Sequence, residues 1–301
     1  MSSYHFISKE LIQKGWSGDK KYCAIDESGN KFLLRVSPIE EYERKKSEFE
    51  LMQQVAALGI PMCKPLEFGT CDEGVYSVQT WINGMDAEEN IHRYTDEEQY
   101  AYGFSSGQIL KEIHKVPAPK ECEDWETYFN RKADRKIKMH KECPIKCENG
   151  QVFIDYINAN RHLLKGRTRT YQHGDYHIGN MMIGEDKKLY IIDFNRNDFG
   201  DPWEEFNRIV WCAQAAPHFA SGMVNGYFNN NIPMEFWKLL ALYIASNTLS
   251  SIPWAIPFGE KEIEVMLKQA KDVLLWYDNM TNPVPSWYIG IKNVPFSKEK
   301  A

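Results

Sequence analysis

The stretch 172–194 holds the densest set of residues able to do chemistry: His173, Asp175, His177, Asn180 and Asp193. Residues 181–183 and 189–192 are strand-like runs, and the polar residues 184–188 between them have the length of a hairpin turn. Folding that hairpin brings Asn180, just before the first strand, and Asp193, just after the second, to one open end. Neighbouring strands lie ~5 Å apart, so an amide oxygen and a carboxylate placed there can share one hard cation. Two such ligands are too few for Mg2+, which favours an octahedron of oxygens, so the pattern predicts a phosphorylated co-substrate that completes the shell. Asp175 stands upstream of Asn180 in the same loop. Left free of the metal, it can accept a proton from an attacking hydroxyl, which is what phosphoryl transfer needs beyond positioning and charge neutralisation.

The rest of the chain must hold these residues in place. Residues 22–26 and 31–36, joined by the turn Glu27-Ser-Gly-Asn30, read as two antiparallel strands. Residues 40–58 form a helix with Phe49, Met52 and Val55 on one face, closed by Gly59 and Pro61. A second strand pair follows at 66–69 and 75–82. Beyond Asn83-Gly84 the texture is helical, over 96–115, 123–140 and 152–165. Residues 237–251 are apolar nearly all round, as in a buried helix, and Ile263, Met266, Leu267, Ala270, Val273, Leu274 and Tyr277 make a single apolar stripe. The expectation is an α+β chain with a small β-rich N-terminal lobe, 1–83, and a large α-helical C-terminal lobe, 84–301.

The spacing His173-x-Asp175-x-x-x-x-Asn180, with Asp193-Phe194 following, resembles the catalytic and metal-binding loops of the aminoglycoside phosphotransferase and choline kinase group, small-molecule relatives of the protein kinases. Departures from protein kinases fit the same group: His-Gly-Asp replaces their His-Arg-Asp, and Asn195 replaces the Gly of their Asp-Phe-Gly. The resemblance implies a two-lobed protein-kinase-like fold, Asp175 as catalytic base, and Asn180 and Asp193 as Mg2+ ligands, with ATP or GTP as co-substrate. His173 then braces the loop, and His177 is structural. The segment 15–22 resembles the phosphate-covering hairpin loop, with the backbone N–H groups of Ser17, Gly18 and Asp19 approaching the triphosphate. Arg35 stands where kinases carry a lysine for the α- and β-phosphates, and a guanidinium can fork onto two oxygens. Its acidic partner on the next helix is Glu48, with Glu50 the competitor. Residues 78–84 resemble the strand that links the lobes, where the backbone of Thr80 and Ile82 contacts the purine.

The acceptor must be read from the large lobe. Asp198, Asp201, Glu204 and Glu205 follow the metal-binding residue with no nearby Lys, and Asp201, Glu204 and Glu205 would suit a cationic acceptor such as an aminosugar or a quaternary amine. Six of the nine tryptophans lie after residue 195, and Trp254, in a Pro-flanked break, is the candidate for a pocket aromatic. An aminoglycoside leads as acceptor by resemblance, ahead of choline, a macrolide or a metabolic sugar. A catalytically dead kinase-fold module is the third reading, against which the base and both metal ligands are retained.

Composition narrows the classes. Of 301 residues, 36 are Lys or Arg and 42 are Asp or Glu, a formal charge of −6 that argues against a nucleic-acid or anionic-membrane surface. No apolar run approaches the ~20 residues of a membrane span, and the first residues lack a signal-peptide layout, so a cytosolic protein is expected. Seven cysteines spread along the chain read as reduced thiols, and His140-x-x-Cys143-x-x-x-Cys147 lacks a fourth ligand for zinc. A dinuclear phosphoesterase would need further His and Asp motifs that the sequence does not contain.

Overall fold

A computed structural model describes residues 4–13 and 18–292. In chain order these form β1 (Phe6–Ile12), β2 (Lys20–Asp26), β3 (Lys31–Ser37), α1 (Tyr42–Ala56), β4 (Pro65–Cys71), β5 (Gly74–Thr80) and β6 (Gly84–Asp86). Then come α2 (Ala87–Asn90), α3 (Asp96–Ile113), α4 (Trp125–Glu142), α5 (Gly150–Asn160), β7 (Thr170–Gln172), β8 (Met181–Gly184), β9 (Leu189–Ile191) and β10 (Asp198–Gly200). The chain finishes in α6 (Ile209–Ala215), α7 (Pro217–Phe228), α8 (Met234–Ala255) and α9 (Glu260–Trp276). Two compact units divide it: one is built from the residues up to Ala87 together with Asn180–Asn197, the other from Glu88–Gly179 and the residues from Asp198 onward.

In the first unit an antiparallel sheet runs in the order β1-β2-β3-β5-β4. Alternation along β3 sends Leu34 and Val36 into a core with Ala24, Tyr76 and Val78, and turns Arg35 and Ser37 to the opposite face. Lys21 lies directly across from Arg35 in the β2–β3 register, which puts two cations side by side on that face. Helix α1 buries Met52 and Val55 and ends at Gly59, whose φ of +75° is the left-handed stop that glycine allows at least cost. The expected hairpin at 181–192 is present, as β8 and β9 with Met181 opposite Ile191, and β6 adds a third strand against β8.

In the second unit α3 begins with a capping box: Glu98 N–H donates to Thr95 Oγ1 and Thr95 N–H donates to Glu98 Oε2. Helices α3 and α7 meet through four glycines. A Cβ on Gly103 would sit 2.0 Å from the Phe219 carbonyl oxygen, and one on Gly222 would sit 2.2 Å from that of Tyr100. Gly107 and Gly226 repeat the contact one turn on, each with a carbonyl oxygen 2.0 Å from the missing Cβ. This i, i+4 pairing of small residues lets the two backbones touch. Helix α8 is the buried helix expected from its all-round apolar sequence. Residues 234–258 are in fact long and apolar enough to cross a membrane by composition, contrary to the expectation of no such run, but 67% of that window is buried inside the protein, as befits a core helix.

Candidate functional site

Arg35 sits on the sheet face of the first unit with its guanidinium divided between two carboxylates. Nη1 donates to Asp193 Oδ1 at 2.7 Å, while Nη2 and Nε donate to Asp19 Oδ2 at 2.8 and 3.2 Å. Asp19 also accepts from Ser37 Oγ and from Lys45 Nζ, both at 2.8 Å. Burial tends to raise the Asp19 carboxyl, but the Lys45 hydrogen bond and the charges of Arg35 and Lys45 outweigh it and bring it down to about 2. Burial likewise opposes the Arg35 charge, and Asp193 and Asp19 more than restore it.

This arrangement corrects the expected Arg35–Glu48 pair. Glu48 is bonded to Arg44 and lies 3.2 Å from Lys45 Nζ, so its connection to Arg35 runs through Lys45 and Asp19. The physical reason is one of charge: Lys45 is one turn from Glu48 on α1 and takes that carboxylate. Asp19, which sequence placed here for its backbone, contributes its side chain instead. Gly18 lies in the described turn before β2, and Ser17 lies outside the described residues.

At the open end of the β8–β9 hairpin, Ile192 N–H donates to the Asn180 carbonyl at 3.0 Å, so Asn180 and Asp193 are neighbours across the pair as the spacing predicts. Asp193 adopts φ 66° and ψ 58°, the left-handed region, which turns the chain sharply after β9. Its Oδ2 is 3.4 Å from Lys21 Nζ. An amide oxygen and a carboxylate are hard donors suited to Mg2+, and among the described residues no group of three or more His, Cys, Asp or Glu side chains converges to hold a metal without a phosphate ligand.

In the second unit the loop carrying Asp175 is fixed from several sides. Asp175 N–H donates to His173 Nδ1 at 3.3 Å, and His173 is fully buried, the bracing role expected of it. Gly174, at φ +82°, donates its N–H to both oxygens of Glu205 at 3.0 and 3.2 Å. Tyr176 donates its hydroxyl to the Ser106 carbonyl at 2.7 Å. The Asp175 carboxylate has His177 Nε2 at 3.8 Å and Arg208 Nε at 3.4 Å.

The three acidic residues expected to receive a cationic acceptor are buried and engaged within their own unit. Asp201 takes a two-point contact from Arg167 at 2.7 and 2.8 Å, whose guanidinium stacks on Trp203, and accepts the Tyr243 hydroxyl at 2.6 Å. Glu204 accepts from Lys132 at 2.9 Å and Gln172 at 3.2 Å. Glu205 holds the Gly174 N–H. Buried carboxylates require such partners, so these side chains organise the loop and β7 rather than face a ligand. Trp254 is partly exposed at the end of α8, with its ring 4.8 Å from that of Phe258. Thr80 donates its N–H to the Lys64 carbonyl and accepts the Lys64 N–H at Oγ1, so that N–H is already committed. Ile82 lies in residues 81–83, which join β5 to β6 outside either strand. Lys21, Lys45 and Arg208 were not singled out by sequence. The cross-strand register exposes Lys21, but Lys45 is one of several Lys and Glu on α1 with no local mark to distinguish it.

No curated protein sequence matches the chain. Solved structures do at low identity. The apo form of a thermostable mutant of aminoglycoside phosphotransferase APH(4)-Ia has TM-score 0.66 at 15% identity, covering 89% of this chain and 94% of that one. Amicoumacin kinase hAmiN has TM-score 0.64 at 14% identity, covering 94% and 92%. Spectinomycin phosphotransferase APH(9)-Ia has TM-score 0.58 at 15% identity, covering 89% of each chain. The likeness shows a kinase-like fold. Residues 10–239 match the model of the phosphotransferase enzyme family, a span that holds Arg35, Asp175, Asn180 and Asp193, and the chain belongs to that family.

Proposed function

We propose that this protein transfers the γ-phosphoryl group of ATP or GTP to a hydroxyl of a small molecule. The observation that carries the reading is the Asp175 loop: a carboxylate whose backbone is pinned by His173 and, through Gly174, by Glu205, while its side chain stays partly open. In this reading Asp175 accepts the hydroxyl proton. Arg35, with Lys21 beside it, receives phosphate oxygens, and Asp19 holds the guanidinium in its plane. Asn180 and Asp193 would hold Mg2+, which when bound neutralises phosphate charge.

The similar structures include complexes with hygromycin B and with spectinomycin, and one relative is an amicoumacin kinase. An antibiotic acceptor of the aminoglycoside kind is therefore a supported candidate by kinship. The internal pairing of Asp201, Glu204 and Glu205 removes the separate argument that a polycation is favoured. A nucleotide-consumption screen with ATP and with GTP, across aminoglycosides, macrolides, choline and sugars, tests the proposal. Asp175→Ala should lower turnover about a thousandfold and leave nucleotide binding intact. Full activity in that variant would remove Asp175 from the reaction, and failure of the wild-type chain to bind Mg-nucleotide would favour a dead kinase-fold module.

A further inference from the structure

Lys132 and Lys136 stand one turn apart on α4 and so share a face of that helix. Lys132 is satisfied by Glu204 at 2.9 Å. Lys136 is not matched in the same way: its hydrogen-bond partner is the neutral side-chain amide of Asn247 on α8, at 3.5 Å, and no carboxylate lies within ion-pair distance of it among the described residues. Arg208 closes the short helix 204–208 that opens with Glu204, the partner of Lys132. Its Nε is buried without a hydrogen bond and stands 3.4 Å from Asp175.

The charges around Lys136 are out of balance. Burial lowers its amine most, Lys132, Arg208 and Arg135 add to that effect, and Glu204 opposes it, which together bring the amine to about 7. Lys132 is held charged by Glu204 against its own burial, with Asp198 and Tyr128 assisting. Three basic groups thus bear on a region whose buried carboxylate, Glu204, is already shared between Lys132 and Gln172. Asp198 also bears on Lys132, and the Asp175 carboxylate lies 3.4 Å from Arg208. A half-covered cation without a counter-ion is costly, and a ligand that supplies the counter-ion gains what the protein alone forgoes. The side chains of Lys132 and Arg208 keep 21% and 27% of their surface exposed, so a solute can reach them.

We infer that the acceptor carries an anionic group, a carboxylate or a phosphate, which is bound by Lys136 with Lys132 and Arg208 while Asp175 faces the hydroxyl. This rests on the phosphoryl-transfer reading and departs from the aminoglycoside candidate, naming an anionic substrate class in its place. The anion restores the missing countercharge, and Arg208, shared between the anion and Asp175, fixes the distance between the group that is bound and the hydroxyl that reacts. A polycationic acceptor would instead add charge of the same sign beside Lys136.

The test uses the full chain saturated with Mg2+ and a non-hydrolysable ATP analogue, so that the nucleotide site is filled. Thermal unfolding is followed at constant ionic strength against glycerate, glycerol 3-phosphate, glycerol, choline and kanamycin. Glycerate or glycerol 3-phosphate should raise Tm, and which of the two does so more strongly distinguishes carboxylate from phosphate. Lys136→Met should weaken that effect about tenfold or more, whereas Lys136→Arg should retain most of it, with analogue binding unchanged in both. Stabilisation by choline or kanamycin alone overturns the inference, as does an anion effect that survives Lys136→Met, or no effect from either anion. Failure of the wild-type chain to bind the ATP analogue is a different outcome, and it strikes the kinase reading itself.

Discussion

Arg35 on β3 and Asp193 after β9 are joined by a 2.7 Å contact between Nη1 and Oδ1. The residue proposed to receive phosphate oxygens and the residue proposed to hold the metal are therefore each other's counter-ion within one compact unit. Under the proposed function, nucleotide binding would exchange this contact for contacts to phosphate and metal. Arg35→Met should do more than weaken nucleotide binding: it removes the guanidinium that Asp19 and Asp193 share, leaving Lys45 and Ser37 on Asp19 and Lys21 3.4 Å from Asp193, and should cost about 2 kcal/mol of stability, measurable by urea unfolding. Arg35→Lys should recover most of the stability but less of the nucleotide affinity, because an ammonium cannot fork between two groups as a guanidinium does.

Asp19 links acid stability to the same cluster. Its carboxyl is held at about 2 when folded, below the ~3.9 of an unfolded aspartate, so the native state binds fewer protons at this position. The stabilisation it gives is complete above pH ~4 and disappears as the pH falls through about 2. The wild-type chain should lose stability across that window by about 2 kcal/mol more than Asp19→Asn does, and a comparison of urea midpoints at pH 5 and pH 2.5 reads the difference.

Glu205 acts on Asp175 through the Gly174 N–H. Glu205→Ala should reduce kcat about tenfold or more while the KM for nucleotide changes little, since the misplaced group is the proposed base. Glu205→Gln keeps a side-chain oxygen at the same reach and should restore a large part of kcat. Equal loss in the two variants would show that charge, not the hydrogen bond, is what matters.

The α3–α7 seam makes a stability prediction independent of chemistry. Gly103→Ala or Gly222→Ala introduces a methyl group into space held by a backbone carbonyl oxygen, and neither helix can yield by rotating a side chain. Each should cost about 2 kcal/mol or more, seen as a lower Tm with unchanged nucleotide affinity in the protein that remains folded.

How much of this the sequence held depends on the range of the interaction. The β8–β9 hairpin and the adjacency of Asn180 and Asp193 were legible because turn length fixes register over a dozen residues. The helices α1, α3, α4, α8 and α9 are legible by apolar period or by all-round apolarity, whereas the Thr95–Glu98 cap that starts α3 is a feature of the structure. Helices α6 and α7 were passed over, since residues 209–228 have neither a clear stripe nor strong caps, and α7 is held by the backbone contact of its glycines with α3. The choice of partner for Arg35 was not legible at all. Asp19, Glu48 and Asp193 are each plausible counter-ions by type, and only the packing of β2, β3 and α1 decides among them. The acidic run after Asp198 misled for a similar reason: charge in a sequence says nothing of whether Arg167, Lys132 and the Gly174 N–H will neutralise it internally.

The left-handed backbone at Asp193 bears on how a metal-site variant must be chosen. Alanine there keeps the Cβ that crowds the backbone in that region but loses the short polar side chain that offsets it, a conformational cost of roughly 1 kcal/mol that has nothing to do with lost ligation. Asparagine tolerates the same dihedrals, and glycine relaxes them. A set of Asp193→Asn, Asp193→Ala and Asp193→Gly therefore separates two quantities that one variant would confound. Loss of activity common to all three reports the carboxylate, whereas a fall in Tm larger for Ala than for Gly, both of which lack the contact to Arg35, reports the turn.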